Sequence, residues 1–197
     1  MEVSELEANL PVLGEPIPVE LANTRYRDGD EVIEFLADPA LVSAWFDASP
    51  TAHQLHAPQR WSESDRRRLI DLRDALDHLF RARIGTEVPE PHAVEQLNDA
   101  AARVIRRVEL TWDRDGGPQR VERLDAPDRI DAVLAAIADQ AIRLLAGPDA
   151  DLLRICANDD CQLLFVRQHH RRRWCHNSCG HRHRQAAYYR AHHGRPT

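Results

Sequence analysis

Four cysteines, placed as two close pairs, constrain this chain more than any other feature. The first pair is Cys156-Ala-Asn-Asp-Asp-Cys161; thirteen residues later comes Cys175-His-Asn-Ser-Cys179. Two short pairs separated by a spacer long enough to fold back are the sequence form of a four-cysteine zinc site. Zn2+ takes four soft ligands in a tetrahedron, and each pair supplies two thiolates from one turn of chain. A closed thiolate shell leaves no position for water, so the ion expected here, one Zn2+ per chain, is structural rather than catalytic. Few apolar residues surround the cysteines, so metal binding is expected to supply much of the local folding free energy, about 10–16 kcal/mol for small zinc modules. Two other readings stay open: four reduced core cysteines without metal, or a ligand set in which His169, His170, His176, His181 or His183 replaces one cysteine. A redox dithiol is disfavoured because neither pair is C-x-x-C.

Charge singles out the same region. The 197 residues carry 26 basic and 32 acidic side chains for a formal −6, and every basic residue is arginine. Spread evenly, that balance argues against nucleic acid as a partner. It is not spread evenly. Residues 152–197 hold nine arginines against Asp159 and Asp160, a formal +7, which leaves −13 on the preceding 151 residues. The tail arginines interleave with planar groups, as in Arg171-Arg172-Arg173-Trp174 and in Arg184, Tyr188, Tyr189 and Arg190. Guanidinium forks suit phosphate oxygens and guanine edges. A basic helix is expected over about 180–193, carrying Arg182, Arg184 and Arg190, and the DNA-contact candidates are these three with Arg171, Arg172 and Arg173.

Upstream, hydrophobic periodicity reads as mainly α with one β-hairpin. Residues 18–24 look extended, and 29–48 hold two short helical runs separated by Asp38-Pro39, an N-cap followed by a first-turn proline. The second run buries Leu41, Val42, Trp45 and Phe46. Ser62-Glu63-Ser64-Asp65 opens the clearest helix, 62–84, with Leu69, Leu72, Leu76, Leu79 and Phe80 on one face and Gly85 as its stop. A helix from Pro91 to Ile105 buries Val94, Leu97, Ala101 and Val104. Alternation over 107–112 and 120–124 around Asp115-Gly116-Gly117 predicts the hairpin, near 107–124. Pro127 starts a helix with Ile130, Val133, Leu134, Ile137, Ala141, Leu144 and Leu145 as its stripe, ended by Gly147-Pro148; a short helix follows near 149–154. The division expected is a helical domain over 1–150 and a small zinc module with a terminal basic helix over 151–197.

The helical part offers no catalytic constellation: its histidines are scattered, its carboxylates alternate with arginines, and it has no glycine-rich phosphate loop. The chain is not expected to be an enzyme. No apolar run approaches the length of a membrane span, and the acidic first residues do not read as a signal peptide, so a cytoplasmic protein without a membrane partner is expected.

The run Cys156-x4-Cys161, Phe165, Arg172-Arg173-Trp174-Cys175, Cys179-Gly180-His181-Arg182 resembles the CGNR zinc finger. That finger commonly ends bacterial proteins whose larger N-terminal part is the ABATE domain. Leu21-Ala22-Asn23-Thr24, the stretch at 72–76, the hairpin and Leu152-Leu153-Arg154-Ile155-Cys156 resemble that domain's features in order, so the likeness covers nearly the whole chain. It implies a stress-induced transcription regulator in which the finger binds DNA. It makes Cys156, Cys161, Cys175 and Cys179 the zinc ligands, Arg172, Arg173 and Arg182 the characteristic basic positions, and Trp174 the small core of the finger. The chain departs from the pattern at His181, where the family carries Asn, in a shorter loop after Phe165, and in a last cysteine pair one residue tighter. On this reading the helical domain senses a small-molecule ligand or forms a homodimer. The alternative is a zinc-stabilised interaction module whose arginines bind an acidic protein surface, including the chain's own acidic domain.

Overall fold

The computed structural model describes residues 12–28 and 31–193. About half of the described residues are helical, and among them are three small antiparallel strand pairs and a C-terminal cluster of four cysteines. The sequence suggests one hairpin; two further pairs, too short to leave a clear alternation, flank the helices.

The first surprise is α1, Ile17–Ala22, where an extended piece is expected. Pro16 at the N-cap and Pro18 in the first turn are both compatible with a helix start. All six residues are buried, so tertiary burial stabilises a helix too short to persist alone. Next, β1 (Arg25–Asp28) pairs with β2 (Glu31–Glu34), with Tyr26 opposite Ile33. The first helical run expected in 29–48 is therefore a strand. Its Val32-Ile33 step is β-branched, and Asp28-Gly29-Asp30 is a turn signal.

The longer helices follow their caps. In α2 (Pro39–Ala48) the Asp38 carboxylate accepts from Ala40 N at 2.8 Å and Leu41 N at 3.0 Å, and Leu41, Val42, Trp45 and Phe46 are buried. In α3 (Glu63–Gly85) Ser62 and Asp65 form the reciprocal capping box. Its stop lies one residue beyond the expected glycine: Thr86 takes a left-handed conformation (φ 59°) and donates its backbone N–H to Ala82 O. Helix α4 (Pro91–Ala102) ends before Ile105 because the chain there enters a strand. Its inward face is Ala93, Leu97 and Ala100; Val94 is exposed and Val104 half-buried.

The expected hairpin runs as β3 (Ile105–Asp113) and β4 (Gly117–Asp125), in register from Ile105–Asp125 to Asp113–Gly117. Gly117 takes φ 71° at the turn, a conformation glycine adopts without penalty. Helix α5 (Arg129–Ala146), capped by Asp128, buries Ile130, Val133, Leu134, Ile137, Ala141 and Leu144; Leu145 is only partly covered. Helices α1, α3, α4 and α5 enclose the main core, with Phe46 stacked on Trp61 and edge-to-face with Trp45 at one end. Among the described residues, no helix is long and apolar enough to cross a membrane.

After a 3-10 turn at Pro148–Leu152, β5 (Leu153–Ile155) pairs with β6 (Leu164–Val166), and α6 spans Asn177–His193. Leu153, Leu164 and Val166 belong to the main core; Phe165 belongs to the cysteine cluster. The small strand pair thus faces both the helices and the cysteines.

Candidate metal centre and its basic surface

Each cysteine is set by a local turn. Cys156 follows β5 and donates its N–H to Leu163 O, while Cys161 N closes a turn onto Asn158 O; both bonds are 2.9 Å. Cys175 precedes α6 and Cys179 lies in its first turn, donating its N–H to His176 O. The four Sγ atoms lie within 4.8 Å of one another, with Cys161–Cys175 at 3.7 Å and Cys175–Cys179 at 3.6 Å. Sulfurs about 2.3 Å from a central Zn2+ stand about 3.8 Å apart in a tetrahedron. All four cysteines are buried and unbridged, and none of the five competing histidines joins the cluster. The donor set fits one structural Zn2+.

The protonation balance supports that fit. Without a cation, hydrogen bonds from Cys161 and Cys175 hold the Cys156 thiol far below its ordinary range. That thiolate and its hydrogen bonding then push Cys161 up to about 12 and Cys175 higher still. Thiols this close oppose one another's ionisation, and a divalent ion makes four thiolates compatible. Two further donors address the sulfurs: Cys175 N–H to Cys156 Sγ at 3.4 Å, and the Arg182 guanidinium to Cys179 Sγ at 3.1 Å. Such outer contacts orient thiolate ligands and offset their charge.

Of the DNA-contact candidates, Arg172 is turned inward. Its guanidinium donates to Glu15 at 2.5 Å, Cys175 O at 2.7 Å, Val166 O at 3.2 Å and Trp174 O at 3.3 Å, and sits 4.7 Å from the Phe165 ring centroid. Arg182 is engaged with the metal cluster. Arg171, Arg173 and Arg184 are exposed. Arg173 and Arg184 lie over the Trp174 ring at 5.7 and 5.9 Å, and Arg184 approaches His181 Nδ1 at 3.1 Å. Gly180 makes this packing feasible, because a Cβ there would meet Trp174 at 3.1 Å. The Arg190 side chain lies outside the described residues.

The residues that sequence reasoning overlooks form the joint beneath this surface. β5 takes the hydrogen bonds on one edge of β6; on the other edge, side chains do the work of a third strand. Asn23 Oδ1 accepts from Leu164 N at 2.8 Å, and Asn23 Nδ2 donates to Leu164 O at 2.9 Å. Glu15 accepts from Val166 N at 2.9 Å, and Arg172 donates to Val166 O. Beside them Glu20 is wholly buried, with Oε1 accepting from Leu13 N and Glu15 N while Oε2 has no partner among the described residues. Gly14 (φ 75°) lets the chain wrap that carboxyl group. Burial pushes the Glu20 carboxyl up to about 7, against the backbone N–H groups of Glu15, Leu13 and Gly14 that pull it down. The one sequence signal for the joint is a polar Asn-Thr pair closing an apolar run.

Fold and site together define a helical domain joined edge-on to a four-cysteine zinc module. Residues 15–148 match the ABATE family model, described as "Putative stress-induced transcription regulator", and residues 153–192 match the CGNR zinc finger. The chain belongs to the ABATE family and carries a CGNR zinc finger. No curated protein matches it.

Proposed function

We propose that this protein is a zinc-finger transcription regulator. In this reading Cys156, Cys161, Cys175 and Cys179 hold the ion, and the finger's outer face holds DNA. The observation that carries it is the sorting of the arginines. Arg172 is turned into the module and Arg182, though exposed, donates to Cys179 Sγ, whereas Arg173 and Arg184 lie over Trp174 and, with Arg171, face solvent. Those three, with Arg190, are the assigned phosphate contacts; Arg172 and Arg182 are positioning residues. The helical domain serves as the dimerising or ligand-sensing part. The inward pairing of Arg172 with Glu15 speaks, at that arginine, for the rival reading, an arginine tail held by the chain's own acidic domain.

The test is DNA binding by fluorescence anisotropy across a salt series, with zinc content measured on the same samples. For wild type, log K falls steeply with log salt, and each phosphate that a variant no longer neutralises flattens the slope by about 0.9. Arg171→Ala/Arg173→Ala/Arg184→Ala is expected to flatten the slope by about 2–3 while retaining one zinc per chain. An unchanged slope in that variant, or no binding of any duplex at low salt, overturns the assignment.

A further inference from the structure

The β3–β4 ribbon leaves an apolar stripe of β3 in water, flanked across the strand pair by Pro118, Arg120 and Glu122. Residues alternate across it, so Val108, Leu110 and Trp112 share one side, at 60, 71 and 73% exposure. Contiguous apolar faces of this kind mark interaction surfaces, whereas scattered exposed residues do not. The face also continues past the ribbon. Arg106, on the same side of β3, reaches Asp139 of α5 at 3.1 Å and lines a groove of about 270 Å3. The rest of that groove is Ala101, Val104, Ala132, Ala135, Ala136 and Asp139. An apolar corner therefore runs from the alanines of α5 out to Trp112.

We infer that this corner is the interface between two copies of this chain, packed about a twofold axis. Charge identifies the occupant. Residues 105–125 carry five arginines and five acidic side chains. A neutral ribbon selects neither DNA nor an acidic or basic partner. It does give two bodies of formal −13 a place to approach without adding to their repulsion. Its exposed Arg120–Glu122 pair, opposite Leu110 and Val108 on the same face, can exchange partners with the same pair of a second copy, as an isologous interface requires. Area agrees. The three apolar side chains expose on the order of 350 Å2 per copy. Two copies with their groove walls and flanking polar atoms approach the roughly 1,200 Å2 at which specific interfaces begin. Pairing also gives a second role to the ribbon, because a two-stranded hairpin has little stability of its own.

This surface is separate from the DNA reading, and the experiment keeps the two apart. Full-length zinc-loaded protein is studied by sedimentation velocity at micromolar concentrations, as wild type, Leu110→Glu/Trp112→Arg and Ala136→Arg. The expected result is a dimer for wild type, a monomer for the ribbon variant and at least tenfold weaker association for Ala136→Arg, with far-UV circular dichroism and zinc content unchanged. A monomeric wild type overturns the inference and leaves the ribbon to a different partner. Variants that remain dimeric at wild-type affinity also overturn it. DNA binding by the monomeric variant, measured alongside, reports on the function proposed above and not on this interface.

Discussion

Asn23 is where the helical domain and the zinc module are most directly joined, and its removal has a cost that follows from geometry. Asn23→Ala deletes two hydrogen bonds of 2.8 and 2.9 Å and leaves Leu164 N–H and C=O unpaired on a residue with no exposed surface. Each orphaned buried group costs about 1–3 kcal/mol, so the sum is about 2–6 kcal/mol. In urea, where small proteins lose about 1–3 kcal/mol per molar, the midpoint falls by at least about 0.7 M. Zinc-loaded protein unfolded at neutral pH, followed by circular dichroism and tryptophan fluorescence together, measures this directly. Asn23→Asp adds a control. Ionised, the new side chain accepts from Leu164 N but cannot donate to Leu164 O, and its charge is buried. Protonated, it makes both bonds. Its folded pKa therefore lies above the ordinary carboxylate value of about 3.9, and its stability relative to wild type falls as pH rises through that folded pKa. A cost below about 1 kcal/mol for Asn23→Ala, with Asn23→Asp tracking wild type at every pH, would refute the bidentate joint.

Four further outcomes are expected. Glu20 titrates near 7 in the fold and near 4.5 when unfolded, so the folded state binds the extra proton between those values; its stabilising contribution is complete below 4.5 and lost as pH rises through 7, worth about 3 kcal/mol. Glu20→Gln removes that dependence, and parallel stability–pH curves for the two proteins would contradict the assignment. Chelation is expected to release one Zn2+, make four thiols reactive and abolish hydrogen-exchange protection over 153–193; mass spectrometry of the exchanged protein reads all three. Gly147→Ala places a Cβ 2.3 Å from Arg143 O at the end of α5, and thermal unfolding is expected to show a loss of about 1–3 kcal/mol. Arg172→Lys keeps the charge but not the fork that reaches Glu15, Cys175 O and Val166 O, so it destabilises the zinc-loaded protein in urea, whereas Arg171→Lys and Arg173→Lys do not.

What the sequence makes legible is what is local. Asp38-Pro39 and Ser62 with Asp65 each cap a helix within three or four residues, and each helix begins where its cap stands, whereas the helix expected from Pro127 begins at Arg129 behind Asp128. The cysteine pairs are equally local. Helix α1 is hidden because its two prolines mask six residues whose helicity depends on burial against α3 and α5. β2 is hidden because four residues hold too little alternation. The joint is hidden for a different reason: Asn23 meets Leu164 across 141 residues, and Glu15 meets Arg172 across 157. No spacing rule links such positions, and none tells which arginine of Arg171-Arg172-Arg173 turns in.

That inward turn has a consequence for the outer face. Arg172 grips Cys175 O on the metal side and Glu15 on the helical side with one guanidinium, beside the ring of Phe165. With Arg172 fixed against the body, its exposed neighbours Arg171 and Arg173 have their chain direction set by an anchor that faces inward. The ligand residue Cys175 and the edge of β6 share that anchor, so metal loss loosens the same point that Asn23 and Glu15 hold from the helical side. The zinc ion and the helical core are thus two supports of one three-residue strand.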